Sequence, residues 1–584
     1  MHAYKTYHNY DLHPATVIQG FDTEAFEGKA AIEEAVRKRI SEAGGGKTIV
    51  SFDLYPAATK EKILELAAGL SPSQIIDVER AAKTEQERMK EFEDFITDDR
   101  VFGVICHKKV ESLYDEDKVR ALRKRIREAE GLVVLVGFGT ELFAKADVHI
   151  LCDLSRWEIQ LRYRGGIGNW NCSNTDDPVL TKYKIGYFIE WRLADRYKKQ
   201  YFESADFVID ANDDDNLKMI SGDAFRAGLK SVAGRPFRLE PYFDPGVWGG
   251  KWMQHTLGAG TEEKNLAWSF DGVPEENAIN LTFGSVTMKL PAMDLTLYCP
   301  ERLLGGRVHA RYGAEYPIRF DFLDTVEGGN LSLQVHPLTE YIQDEFGMHY
   351  TQDESYYILD TDDEAEETYV YLGLKNDADR EQMAEDLRKA ERGEIAFPAE
   401  RYVNKIPVKK HDHVLIPAGT VHCSGKGCMV LEISATPYIF TFKLWDWGRI
   451  GLDGLPRPIH VEHGLRNIQW DRNADFVSRE LIHQETTLEN HDGCLAERTG
   501  LHAKEPLESI RYSLSETKRV ECDDSVVQGN LVEGESALIE STDGSFEPFE
   551  IHYAETFIVP AAVGSFLIVP VKEPVKVMIV SVRR

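Results

Sequence analysis

Two side chains in the run LSLQVHP, Gln334 and His336, stand two residues apart. In an extended strand that spacing puts both on one side, with α-carbons about 6.5–7 Å apart, which suits two ligands of a single ion. Leu331, Leu333 and Val335 take the opposite face, leaving Ser332, Gln334 and His336 as a polar row. Pro337 then closes the strand where its missing N–H costs no ladder bond. Two further donors follow on later β-like runs, Glu354 in TQDESYYILD and His422 in PAGTVHCSGKG. A carboxamide, a carboxylate and two imidazoles form a set that suits zinc with positions left open to water or substrate. Taken singly, each residue also fits the pattern of a hydrogen-bonded core side chain.

The elements that must position these donors lie in the second of two stretches with different grammar. Up to about Gly234, apolar runs such as KTIVSFDLY, GLVVLVGFG and ADVHILCDL alternate with helical patterns such as AAIEEAVRKRISEAGG and EDKVRALRKRIREAEG. That alternation predicts βαβ units around a mainly parallel sheet. From about Leu239, short β-like runs separated by Gly, Pro, Asn and Asp dominate, the pattern of an antiparallel sandwich or barrel, with one helical insert in DADREQMAEDLRKAERGE. The expected fold is therefore multidomain, with an α/β domain over 1–234, a metal-binding β domain over 235–475 and a smaller β domain over 476–584.

Composition narrows the partners. The 584-residue chain carries a formal net charge of -30, which argues against nucleic acid or an anionic membrane surface. No run approaches a transmembrane length, and MHAYKTYHNYDLHP lacks the apolar core of a signal peptide. The eight cysteines are scattered without a CxxC pair, so free thiols in a reducing cytoplasm are expected. Three apparent motifs are set aside. Cys423 and Cys428 in CSGKGC have no second pair to complete a zinc site, and His411 and His413 fall where a resemblance to a known family implies a turn before the PAGTVH strand. Gly44–Thr48 (GGGKT) has Ser41 where a phosphate loop needs glycine, and it follows a helix and precedes a strand, the reverse of that loop's context.

LEPYFDPGVWGGKW, FLDTVEGGNLSLQVHP, IPAGTVHCSGKG and LWDWGRIGLDGLPRPIH, in that order, resemble the type I phosphomannose isomerases over the C-terminal three-fifths of the chain. The resemblance implies metal-dependent cupin (jelly-roll) domains and interconversion of mannose 6-phosphate and fructose 6-phosphate through an enediol. It also implies Zn2+ held by Gln334, His336, Glu354 and His422. Such a reaction removes a proton beside a carbonyl, so a metal near the oxygens stabilises the developing charge and a positioned acid and base move the protons.

The chain departs from the family where a lysine precedes the Glu ligand, here Gln352, and where a second lysine precedes Phe-Leu-Asp, here Asp321. Lys443 stands in place of an arginine and keeps its charge without the planar fork. These changes make the pocket less cationic. Lys443, Asp446 and Arg449 are the remaining candidates for catalysis, and Ser332 for substrate binding. The expected activity is a zinc-dependent sugar-phosphate isomerase. The alternatives are a family cupin with a shifted sugar substrate and a carbohydrate sensor without turnover.

The later part of the first stretch, from GLVVLVGFG through ADVHILCDLSRWEIQLRYRGG to EWRLADRYKKQYFESADFVIDAN, resembles P-loop nucleoside and small-molecule kinases. Arg156, Arg162 and Arg164 would be lid-type arginines and Asp53 would lie in a vestigial phosphate loop. With no glycine after the strand IVSFDL, ATP binding is not expected, and the resemblance implies a degenerate module.

Overall fold

Apolar runs of the first stretch become the buried strands Thr48–Leu54, Leu132–Gly137 and Val148–Asp153, which lie side by side and run parallel. Gln74–Asp77 and Phe207–Asp210 extend the parallel set, while Lys218–Ser221 and Ala25–Glu27 add antiparallel strands at one edge to complete a seven-stranded sheet. Helices such as Lys29–Ala43, Lys60–Gly69 and Glu116–Glu128 form the connections. Near-continuous apolar strands of this kind are what a parallel sheet requires. The computed structural model describes residues 9–584 apart from 437, 439, 455, 501 and 573.

The chain divides into two compact units, one of residues 15–232 with 278–299, the other of residues up to 14, 233–277 and 300–584. The first unit thus recruits a hairpin, Ala278–Phe283 with Val286–Pro291, and the short helix Met293–Tyr298 from the β-rich stretch. The GGGK run ends a helix: Gly44 caps Lys29–Ala43 at φ 96°, Gly46 has φ 124°, and Lys47 Nζ donates to Arg127 O at 3.0 Å. Positive φ explains the glycines without a phosphate.

Behind the sheet's carboxyl ends the first unit buries a network of charges. Arg156 Nη2 donates to Asp195 Oδ2 at 2.6 Å, Tyr55 OH donates to Asp195 Oδ1 at 2.9 Å, and Lys198 Nζ lies 2.6 Å from Asp153 and 2.7 Å from Asp294. Asp53 accepts from Gly139 N, the Thr140 hydroxyl and Tyr197 OH. Arg162 donates to Ala57 O and Ala211 O, whereas Arg164 lies over the Trp157 ring.

In the second unit two antiparallel sheets contribute to the candidate site. One runs Val403–Pro407, Tyr369–Leu374, His422–Ser424, Leu333–Val335, Phe442–Trp445; the other runs His413–Ile416, Asp353–Thr361, Cys428–Ala435, Arg319–Asp324, Trp268–Gly272, Tyr242–Asp244. The expected insert is the helix Arg380–Glu391, capped by Asp379, whose side chain accepts from Gln382 N at 2.9 Å, with Met383, Leu387 and Ala390 on its buried face. A six-stranded and a four-stranded sheet follow from Thr486 onward and share a core that includes Leu531, Ile539, Phe557, Phe566 and Val577. Among the described residues the eight cysteines form no disulfide, and no helix is long and apolar enough to cross a membrane.

Removing Asp195 would take from the buried Arg156 guanidinium the carboxylate it donates to, while Lys198 keeps Asp153 and Asp294. Asp195→Ala is expected to cost about 3–5 kcal/mol, read as a lower urea midpoint for the sheet-containing unit. A loss below about 1 kcal/mol would show that the network does not hold this unit together.

Candidate metal centre

LSLQVHP is a shorter strand than its alternation predicts. It spans Leu333–Val335, and both faces are buried: Leu331, Leu333 and Val335 on one side, Ser332, Gln334 and His336 on the other. His336 lies just past the strand end, where its carbonyl accepts from Gly419 N at 2.9 Å. Gly419 has φ 89°, and a side chain there would meet Gln469 and Asn467, so the PAGT turn that presents His422 needs glycine. Gln334 is the register partner of both His422 and Lys443 on its two neighbours. Glu354 reaches the same point from the other sheet, on Asp353–Thr361.

His336, Glu354 and His422 are fully buried, and one ligand atom from each lies within 4.8 Å of the others. His336 Nε2 is 2.5 Å from Glu354 Oε2, and His422 Nε2 is 3.3 Å from Glu354 Oε1. The other ring nitrogens are anchored: His336 Nδ1 pairs with Phe440 O at 2.9 Å and His422 Nδ1 with Thr420 O at 2.8 Å. A carbonyl only accepts, so each Nδ1 carries a proton, and each Nε2, once deprotonated, presents a lone pair to the carboxylate. Glu354 Oε1 makes no hydrogen bond although it is buried. Gln334 completes the group with its amide nitrogen 3.2 Å from His422 Nε2, and a half-turn of the carboxamide would present its oxygen instead.

Two facing lone pairs beside a buried carboxylate repel unless a cation or a proton sits between them. Burial depresses His336, but the adjacent Glu354 carboxylate outweighs it and holds the imidazole above its ordinary range. Burial also raises Glu354, yet the two imidazoles outweigh it and hold the carboxyl below the usual carboxylate range. The set therefore fits a divalent cation. Gln334, His336, Glu354 and His422 would hold it with the donor types that zinc favours.

Gln352, where the sequence resemblance implies a lysine, is buried and positions acids. Its Nε2 donates to Glu354 Oε2 at 3.0 Å and Glu432 Oε1 at 3.2 Å, and its Oε1 accepts from Phe440 N at 3.1 Å. Glu432 was not singled out from the sequence, although a carboxylate amid the fully buried strand Cys428–Ala435 is itself a signal. It pairs across the sheet with Asp321 and with Tyr356. Burial, then Asp321 and Glu354, push Glu432 well above the carboxylate range. Burial raises Asp321 to about 7 against the pull of Arg319, whose Nε lies 3.4 Å away.

The remaining candidates fall in two places. Register with Gln334 puts Lys443 on the ligand side of its sheet. Ser332, Asp446 and Arg449 come together in a separate cluster: Ser332 Oγ donates to Asp446 Oδ1 at 2.7 Å, Arg457 Nε donates to Oδ2 at 2.9 Å, and Arg449 pairs with Asp446 while donating to Asn330 O at 2.7 Å. The register irregularity opposite Leu333 and Gln334 leaves Leu444 of the neighbouring strand unpaired, which carries Asp446 toward Ser332. His411 pairs with Tyr357 and Glu533, and His413 with Ser355 and Thr499, so both are partnered within the β unit. SATPYI begins with Ser434 and Ala435 at the end of the Glu432 strand, and its residues 437 and 439 lie outside the described residues.

The family described as domain of unknown function DUF8485 matches residues 28–234. The mannose-6-phosphate isomerase of Streptococcus mutans is 26% identical over 232 residues, 39% of this chain and 66% of that protein. The mannose-6-phosphate isomerase ManA of Bacillus subtilis is 24% identical over 253 residues, 43% of this chain and 72% of that protein. The chain thus spans about two thirds of the length of the curated relatives it matches. The crystal structure of the mannose 6-phosphate isomerase from Bacillus subtilis superposes with a TM-score of 0.47 and 20% identity, covering 59% of this chain and 99% of that one. Homologues of mannose-6-phosphate isomerases therefore account for part of this chain.

Glu354→Ala or His336→Ala should lower the zinc bound per chain by one equivalent, measured by elemental analysis after dialysis. Unchanged stoichiometry would remove these residues from the ligand set. A second expectation concerns Asp321 in chelator-treated protein. Its folded value of about 7 lies above the ordinary 3.8, so the folded chain holds a proton that the unfolded chain releases. The stability this confers is full below about pH 4, falls as pH rises to about 7 and is flat beyond. Asp321→Asn should flatten that slope in urea midpoints, and an unaltered slope would contradict the assignment.

Proposed function

We propose that the β unit is a zinc-dependent aldose–ketose isomerase of the mannose-6-phosphate isomerase type, interconverting mannose 6-phosphate and fructose 6-phosphate. The observation that carries this reading is the pair of imidazoles whose Nδ1 atoms are anchored to backbone carbonyls while their Nε2 atoms face the two oxygens of Glu354, His336 at Oε2 and His422 at the unpartnered Oε1. The names of the relatives supply the reaction class. Zinc held there would supply a Lewis acid for negative charge developing on oxygen.

The chain's own residues would do the rest. Lys443, on the ligand side of the sheet, is the proposed electrostatic stabiliser or base for the proton shift between adjacent carbons. Gln352 cannot transfer protons at neutral pH; it holds Glu354 and Glu432 apart by donating to both. Ser332, Asp446 and Arg449 would brace the 330–332 segment, with Arg449 the cation available to an anionic substrate. A shifted sugar substrate is favoured by one observation: buried Asp321 and Glu432 stand opposite each other beside Glu354, and carboxyls at these places supply no positive charge to hold a phosphate.

The 15–232 unit is proposed to be a degenerate kinase-like module without nucleotide turnover. Supporting this are the helix-capping role of GGGK and the commitment of Arg156 and Arg162 to partners of their own unit.

Zinc-loaded protein should form fructose 6-phosphate from mannose 6-phosphate, lose activity on chelation, and be indifferent to ATP. Lys443→Met should lower kcat/KM by about 10²-fold or more. Absence of turnover by zinc-loaded protein would reject the isomerase reading, whereas turnover of mannose alone would favour the shifted substrate.

A further inference from the structure

Far along the chain from the Glu354 centre, the strands Thr486–His491 and Cys494–Gly500 form a hairpin in which His491 and Cys494 are direct partners. Gly493, at φ 89°, makes the tight turn between them. Glu489 stands two residues before His491 and so shares its face. A carboxylate oxygen of Glu489, a ring nitrogen of His491 and Cys494 Sγ all lie within 4.8 Å of one another. His491 Nδ1 pairs with its neighbour's carbonyl, Asp492 O, at 2.8 Å, which fixes the ring and directs Nε2 to Glu489 Oε1 at 2.8 Å. This is the same device that orients the imidazoles of the Glu354 centre.

A second observation is independent of the triad. His491 and Cys494 open onto a cleft of about 470 Å³, lined also by Ser513, Ser515, Glu533 and Lys576. A donor set facing open space can take an ion from solvent.

We infer that Glu489, His491 and Cys494 form a second binding site, for a zinc-like divalent cation, at the mouth of this cleft. Carboxylate, imidazole and thiolate are the three donor types that zinc accepts, and three protein ligands leave a fourth position for water. Binding releases the Cys494 thiol proton to solvent. In the structure Glu489 is neutralised by the Lys518 ammonium, which must swing aside for the incoming cation. Lys518 is therefore a built-in competitor, and its removal tightens the site.

Cobalt(II) distinguishes the two sites, because Gln334, His336, Glu354 and His422 contain no sulfur. Titrating the full-length protein with cobalt should give two equivalents and a thiolate-to-cobalt charge-transfer band in the near ultraviolet. Cys494→Ser should abolish the band and one equivalent while retaining the other. His491→Gln, on an exposed strand, should weaken the band at least tenfold in affinity without affecting folding. Lys518→Gln should strengthen it two- to five-fold. A single equivalent with no band, or a band that survives both Cys494→Ser and His491→Gln, would overturn the inference.

Discussion

Two imidazoles and one carboxylate, all withheld from water, cannot rest together without a cation or a proton between them, and the β unit is organised around that constraint. The backbone enforces it. Phe440 O and Thr420 O accept from the two Nδ1 atoms, so neither ring can turn its lone pair away from Glu354. The turn through Gly419 ties the two histidine segments, because Gly419 N donates to the carbonyl of His336 itself. The donors come from two different sheets, so the pairing of His422 with Gln334 in one and the placement of Glu354 in the other must both be correct for the ligands to meet.

The acids beyond the ligands follow from the same geometry. On Arg319–Asp324, Cys428–Ala435 and Asp353–Thr361, cross-strand partners project to one side, so Asp321, Glu432 and Tyr356 form one row, and Arg319, Ser434 and Glu354 the row beside it. Arg319 is the guanidinium set among these carboxyls, and Gln352 links two of them through neutral hydrogen bonds. Gln352 thus supplies a fixed, uncharged bridge between two carboxyls. The chain keeps the ligand frame while changing what surrounds it.

Much of this was legible in the residues. The two-residue spacing of Gln334 and His336, the later Glu354 and the PAGTVH turn identified donors that the structure brings to one point, because period-two alternation and glycine turns are local properties. The parallel sheet of the first unit was equally visible in its unbroken apolar runs. Long-range register was not. Ser332 follows the alternation on paper, but the irregularity at Leu333 and Gln334 leaves its hydroxyl with Asp446. Glu432 passed unnoticed because only a cross-strand partner reveals that it faces Asp321. Nothing local announces that residues 278–299 join the first unit, since a hairpin pattern does not say which sheet or helix layer will receive it.

The claim most exposed to test is that a cation completes the His336–Glu354–His422 group. Anomalous diffraction at the zinc absorption edge, from crystals of zinc-loaded protein, addresses it directly. A peak is expected roughly 2.0–2.2 Å from His336 Nε2, His422 Nε2 and the Glu354 carboxylate. Absence of a peak there, with His336 Nε2 still hydrogen-bonded to Glu354 Oε2, would contradict it.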